Sequence, residues 1–150
     1  DPGWLTRALG VARPRDGARE LAALDLARLR RTAGLFLAEL DQAGGASEAD
    51  ARLHLSEATL LRESPSAVLR EGSPWLETAH AVRARAGALA LDSLLAARFD
   101  SWHRNPESGR LLLPAFSLGR SLPLGELLRS LGVAAPLFDA AAAACAARLS

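Results

Sequence analysis

The chain has 150 residues, of which 49% are apolar and 23% are charged, and its formal net charge is +1. This size and composition fit one compact domain with an apolar core. A net charge so close to zero produces no overall field that would steer the chain onto nucleic acid or an acidic membrane. An electrostatic partner would therefore have to be bound by a local patch.

The amino-acid usage is narrow: Lys, Ile, Met and Tyr are absent, so all 18 basic residues are Arg. A genome rich in G and C explains this pattern, because the missing residues have mostly A/T-rich codons. Selection of Arg for bidentate phosphate or carboxylate binding is the alternative, but it leaves the missing Ile and Tyr unexplained. No apolar run reaches the roughly 18 residues of a membrane span. We expect a cytoplasmic protein.

The first predicted elements are a short helical segment and a long amphipathic helix. Residues 4–11 have helical spacing, which Pro14 and Gly17 interrupt. Within residues 16–43, apolar side chains at 22, 26, 29, 33, 36 and 40 alternate in steps of four and three, which a helix gathers into one stripe. We expect this stripe to be buried against other helices. The pair Gly44-Gly45 ends the helix.

A second helix is predicted to begin after Ser47, which forms a weak capping box with Asp50, and to continue to about Glu63. Its inner side is expected to carry Leu53, Leu60 and Leu61.

Two serine-proline pairs then mark two further helix starts, because a capping hydroxyl precedes a proline suited to the first helical turn. Ser64-Pro65 opens a short helix closed by Gly72, and Ser73-Pro74 opens a long helix that continues to about Arg104.

The last third contains one ambiguous segment and two short helices. Asn105-Pro106 ends the long helix, and the following run GRLLLPAFSLGR fits either a helix or a strand, although Pro114 argues against a central strand. The run LPLGELLRSL predicts a helix that ends at Gly132. In the final run, PLFDAAAAACAARL, the residues that share one helical face are Phe138, Ala142, Cys145 and Leu149.

Three long or medium helices and two to three short ones, with short connections, predict an all-α fold. The arrangement expected is an antiparallel helical bundle forming a single domain over residues 1–150. The start at Asp1 rather than at a methionine suggests a processed form or a domain excised from a longer protein.

A metal site is one candidate chemistry. Glu77 and His80 have the Glu-x-x-His spacing that places both side chains on one helix face, and His54 with Glu57 has the reverse order. A ferritin-like di-iron site needs this motif on two helices and a Glu from each of two others, whereas this chain has the motif once. Each histidine is therefore interpreted as a boundary residue bonded to a carboxylate, and no cofactor is expected.

Catalysis and nucleic-acid binding are weakly supported. Cys145 lies in polyalanine, with no charged residue closer than Arg148, so nothing in the sequence would activate its thiol. We therefore expect a non-enzymatic protein.

Arg28 and Arg31 share a helix face, but Arg30 lies around the helix from them, and neither a basic excess nor interleaved aromatic residues accompany them. We expect no nucleic-acid partner.

A protein partner remains the best-supported interpretation, since Trp and Arg are the residues that most often anchor interfaces. We predict a non-enzymatic protein–protein interaction or scaffold domain, with a homo-oligomer left open. The alternative is a ligand-binding or metal-binding bundle that uses the His and Glu residues above. For the tryptophans, packing in the core or at a bundle end is the competing interpretation. The candidate partner-binding residues are Trp4, Trp75, Trp102, Arg28 and Arg31.

Two partial resemblances accompany this interpretation. The series Leu94, Phe99 and Trp102, followed by LPAFSL at 113–118, ELLRSLGV at 126–133 and Phe138, resembles part of a serpin. Serpins trap proteases with a reactive loop, so the resemblance implies a degenerate serpin-like fragment as a remote alternative, without inhibitory activity. The run LLLPAFSLGR is also similar to a stretch of metallo-β-lactamase-type nucleases, but the histidine-rich metal motif of that family is absent. We assign the chain to neither family, because a composition rich in Ala and Leu raises the number of chance matches.

Overall fold

The computed structural model describes residues 2–62, 77–99, 101–119 and 121–149, apart from the side chains of Pro2 and Trp4. Every regular element in these ranges is helical, and the fold is the all-α helical bundle that the sequence predicted. None of the helices described is long and apolar enough to cross a membrane. The α-helices are α1 (Pro2–Leu9), α2 (Pro14–Ala43), α3 (Glu48–Thr59), α4 (Glu77–Phe99), α5 (Pro106–Ser117), α6 (Leu124–Leu131) and α7 (Leu137–Leu149), and a 3₁₀ turn spans Trp102–Arg104.

The chain divides into two compact units. Unit 1 comprises Asp1–Ala22 with Ala86–Ser150, and unit 2 comprises Ala23–Arg85. Helices α2 and α4 therefore each contribute residues to both units. The expectation of a single domain stays a prediction. The predicted helix after Ser64-Pro65 and the start at Ser73-Pro74 lie outside the described residues.

Local sequence determines where α3 begins. The backbone N–H of Asp50 donates to Oγ of Ser47 over 3.2 Å, and the Ser47 hydroxyl donates to the Asp50 carboxylate over 2.6 Å. This is the predicted N-terminal cap, in which a side-chain oxygen accepts from an N–H that has no partner within the helix. The other end differs from the prediction, because α3 stops at Thr59 rather than near Glu63.

The segment that left helix and strand open is helix α5. Asn105 caps it, since its Oδ1 accepts from the N–H of Glu107 over 3.0 Å, and Pro106 occupies the first turn. A proline at this position removes no helical hydrogen bond, because the first N–H groups of a helix have no partner within it. Asn105-Pro106 thus starts a helix, whereas the sequence predicted that it ends the long one. The predicted end of α4 near Arg104 is wrong, because α4 stops at Phe99, before the 3₁₀ turn.

One buried cluster of unit 2 joins α2 to α3. It consists of Leu35 and Ala38 of α2 with Ala51 and Leu55 of α3. The predicted stripe of α2 is only partly correct. Leu40 belongs to the stripe but is 42% exposed, whereas Leu35 and Ala38 lie outside the stripe and are buried. The predicted inner side of α3 is wrong, since its three leucines at positions 53, 60 and 61 are all exposed.

One buried cluster of unit 1 joins α4, α6 and the residues that follow α6. Ala90, Leu128 and Val133 are buried together, and Leu94 and Leu124 are among the partly buried side chains that pack against them. The predicted end of α6 is confirmed: it stops at Gly132, which has a positive φ of 108°.

The face predicted for α7 is only partly buried. Cys145 is buried, but Phe138 and Ala142 are exposed, and the buried positions beside Cys145 are Ala141 and Ala144.

Polar contacts connect three elements of unit 1. Nε1 of Trp102 donates to Oδ1 of Asp92 over 2.9 Å, and Arg148 bonds the second carboxylate oxygen of Asp92. The carboxylate on α4 thus links the 3₁₀ turn to α7. Charge-assisted contacts of this kind are stronger than neutral hydrogen bonds.

Candidate functional site

A cleft of about 400 Å³ opens in unit 2 between α2 and the end of α3. It is lined by residues 23–31 of α2, except 25 and 29, and by residues 58–61. These are alanines and leucines, three arginines and one threonine. We name this feature the α2/α3 cleft.

Three leucines give the α2/α3 cleft its apolar character. Leu24 is 53% exposed, Leu60 is 76% exposed and Leu61 is 64% exposed. Single exposed leucines are common on protein surfaces, whereas several around one concavity mark a place where another surface docks.

Leu60 lies in an unusual backbone conformation. Its φ of 59° and ψ of 22° place it in the left-handed region, and among the described non-glycine residues it alone has a positive φ. That region is unfavourable for a side chain with a Cβ, by roughly 1–2 kcal/mol. Such outliers concentrate at binding and catalytic sites. The left-handed turn ends α3 and places two adjacent leucines, Leu60 and Leu61, at the edge of the cleft.

The two helices beside the cleft form a tightly packed antiparallel pair. A Cβ added at Gly34 of α2 would lie 2.5 Å from the Cβ of Ala58 and 2.9 Å from the carbonyl oxygen of His54. The helix backbones therefore approach as closely as only glycine permits. Further along the pair, Nε2 of His54 lies 2.8 Å from Oδ2 of Asp41. The cleft thus lies on a helical hairpin that is held at two points.

Arg30 joins the wall of the cleft to the end of α3. Its Nε donates to the carbonyl oxygen of Ala58 over 2.7 Å, and its Nη2 donates to that of Glu57 over 3.2 Å. The last carbonyl groups of a helix have no partner within the helix and carry its negative partial charge. The guanidinium satisfies two of them and offsets this negative charge at the cleft.

Two further arginines lie along the same wall of α2. Arg28 is exposed, and its Nη1 is 3.9 Å from Oδ1 of Asp25, which is beyond hydrogen-bond distance. Arg31 is partly buried and takes part in a polar interaction of its own. Both had been predicted from the sequence as partner-binding residues, and the structure brings them together at this cleft. No aspartate or glutamate lines the cleft in the part of unit 2 that the structure describes.

The four residues proposed for a metal do not form one cluster. His54 is paired with Asp41, while Glu57, Glu77 and His80 are exposed. Across ranges 2–62, 77–99, 101–119 and 121–149, no group of three or more His, Cys, Asp or Glu side chains is arranged to hold a metal ion. The pairing of His54 with a carboxylate agrees with its interpretation as a boundary histidine.

The tryptophans lie apart from the cleft or outside the described residues. Trp75 and the side chain of Trp4 are not described. Trp102 is partly buried, with its indole N–H bound to Asp92 in unit 1. Its described contacts are those of a residue that holds helices together.

Sequence analysis missed the leucines of the cleft. It assigned Leu60 and Leu61 to the inner side of α3, and it did not single out Leu24. The available signal was the pair Leu60-Leu61 itself, because two adjacent residues on a helix point in directions about 100° apart and cannot both lie at the centre of one buried face.

Comparisons with protein-family models, with curated proteins and with solved structures find no match to this chain. The function is therefore inferred from the cleft itself.

Proposed function

We propose that the chain is a non-enzymatic protein-interaction domain whose α2/α3 cleft binds apolar side chains of a partner segment. The observation that supports this proposal is the concentration of Leu24, Leu60 and Leu61, all exposed, around one concavity. Transfer of a leucine side chain from water into a fully apolar contact is worth about 1.5–3 kcal/mol.

The shape of the cleft favours a macromolecular partner over a small ligand. Pockets for small molecules bury about 70–90% of the ligand surface. Here three of the four leucines that line the cleft are more than half exposed, so most of this apolar surface faces outward. A groove beside two packed helices is the geometry in which an amphipathic segment inserts side chains at helical spacing.

The test is selection of helical peptides from a displayed library on the intact chain, followed by binding measurements on two matched variants. Leu24→Asp places a charge in the cleft, whereas Leu53→Asp places the same charge on α3 away from it, and both leucines are 53% exposed in the native chain. We expect Leu24→Asp to weaken the selected peptides by at least about tenfold, which corresponds to roughly 1.4 kcal/mol. Leu53→Asp should leave their affinity unchanged.

Equal affinity of the two variants, with both folded by circular dichroism, would contradict docking at the cleft. A library that yields no binder would contradict it as well.

A further inference from the structure

The charges around the α2/α3 cleft indicate the chemistry of its partner. Resting on the proposed docking function, we infer that the partner segment is acidic: an amphipathic helix whose carboxylates flank the apolar side chains that enter the cleft.

The first step of the argument concerns the end of α3. An uncapped helix C-terminus would present negative partial charge to the cleft and favour a basic partner. In this chain Arg30 donates to the carbonyl oxygens of Glu57 and Ala58, so a full positive charge lies where the helix would otherwise be negative. A side-chain hydroxyl also bonds a carbonyl group in the last turns of α3, because Oγ1 of Thr59 donates to the carbonyl oxygen of Leu55 over 2.8 Å.

The second step concerns the wall formed by α2. Arg28 and Arg31 are one helical turn apart and therefore lie on the same side of the helix. The Arg28 side chain is 66% exposed, and its pair with Asp25 spans 3.9 Å, so this surface contact is weak. A partner carboxylate can accept from the Arg28 guanidinium with little to displace, and the planar donor fork suits bidentate binding.

The third step is the contrast between the cleft and the whole chain. The formal net charge is only +1, so general attraction of the protein for acids is small. The described lining of the cleft nevertheless contains three arginines and no acidic residue. Selection of an acidic partner is therefore a local property, and it is sensitive to substitution of individual arginines.

The experiment uses two synthetic helical peptides that share the same leucine face and carry either Glu or Lys at the flanking positions. Binding to the intact chain is measured by fluorescence anisotropy at low and at high salt. We expect the Glu peptide to bind about fivefold to tenfold more tightly than the Lys peptide at low salt, because a surface ion pair with Arg28 favours the first peptide and like-charge repulsion from Arg28 disfavours the second. The difference should shrink as the salt concentration rises, because exposed charges are screened.

Charge-reversed variants locate the effect. Arg28→Glu should reduce or reverse the preference for the Glu peptide, whereas Arg83→Glu, on an exposed arginine of α4 that does not line the cleft, should leave it unchanged. An equal effect of both variants would attribute the preference to net charge and would overturn the inference.

Failure of the acidic-partner inference can be told apart from failure of the proposed function. If Leu24→Asp weakens both peptides but the two bind equally well, the docking function stands and the acidic preference is overturned. If Leu24→Asp affects neither peptide, both proposals fail. If sedimentation shows a homodimer that Leu24→Asp dissociates, the occupant is a second copy of the chain, and the inference of an acidic partner helix is again overturned.

Discussion

Leu60 ends α3 with a φ of 59° and exposes 76% of its surface. Glycine is the usual residue at such a position, because it adopts the left-handed region without a steric penalty from a Cβ. Leucine there is unfavourable on two counts, backbone strain and an exposed apolar side chain. Under the proposed function, binding at the cleft would account for an unfavourable residue that folding alone does not require.

Replacement of Leu60 by glycine tests this trade-off. We expect Leu60→Gly to raise the free energy of unfolding by about 1 kcal/mol, because the left-handed strain is removed. The same change should weaken binding of the acidic peptide. The measurements are chemical denaturation and peptide anisotropy on the same preparation.

The matched control is Leu53→Gly, which removes an exposed leucine from the interior of α3. It should lower stability by about 1 kcal/mol, since glycine is unfavourable inside a helix. Destabilisation by both variants would show that Leu60 is not strained.

At the scale of helices, glycine determines how closely α2 and α3 approach. Gly34 lies in the middle of α2, where glycine is unfavourable by about 1 kcal/mol relative to alanine. Its position opposite Ala58 explains why it is there, because a Cβ at residue 34 would meet the neighbouring helix. The cleft at the end of the hairpin depends on this spacing.

Gly34→Ala should therefore destabilise the chain by about 1–3 kcal/mol, the usual effect of overpacking, despite the better helix propensity of alanine. Thermal unfolding followed by circular dichroism measures it. Gly109→Ala is the control, because a Cβ at Gly109 in α5 would meet nothing within 4 Å. The free energy of unfolding of the control variant should rise by about 0.5–1 kcal/mol. A gain of the same size for Gly34→Ala would contradict the close approach of α2 and α3.

Most helix boundaries could be predicted from the sequence because they depend on local chemistry. The cap at Ser47 and the glycine end at Gly132 each involve residues within a few positions of one another. The end of α3 could not, since it depends on Leu60 adopting a left-handed conformation that its residue type disfavours.

The buried face of α2 was harder to predict, because apolar residues surround more than one side of this helix. Leu35 is buried, whereas Leu37 and Leu40 remain exposed. Periodicity alone does not show which apolar side receives a partner. The small residues do: Gly34 and Ala38 mark the side on which α3 packs.

The candidate site was predicted in its polar part and missed in its apolar part. Arg28 and Arg31 could be chosen from residue type and shared face, whereas the cleft leucines depend on tertiary contacts that leave them uncovered. Sequence analysis therefore indicated the charges of the site without its concave surface.

At the scale of the whole molecule, each unit contains a leucine side chain that is almost completely buried. Leu55 in unit 2 and Leu95 in unit 1 are 0% and 1% exposed, respectively. All described lining of the α2/α3 cleft belongs to unit 2. Under the proposed function, a core substitution in unit 1 should therefore lower stability without changing binding at the cleft.

Leu55→Ala and Leu95→Ala should each lower the free energy of unfolding by about 2–5 kcal/mol, as expected for a leucine removed from a packed core. Calorimetric titration with the acidic peptide, at a temperature where both variants are folded, should show that the two variants differ in affinity for the peptide. We expect Leu55→Ala to weaken binding, because Leu55 packs between the helices that form the cleft, and Leu95→Ala to leave it within about twofold of the native value. A large loss of affinity in folded Leu95→Ala would show that the binding surface includes unit 1.

The burial of Cys145 allows local opening of this protein to be measured by thiol labelling. It is the only cysteine in the sequence, and it is 5% exposed on α7. Because this side chain is buried, labelling of its sulfur by a thiol reagent requires a local opening around α7, and the labelling rate reports how often that region opens. Opening of the native chain can thus be measured at a single known sulfur atom, without an introduced cysteine.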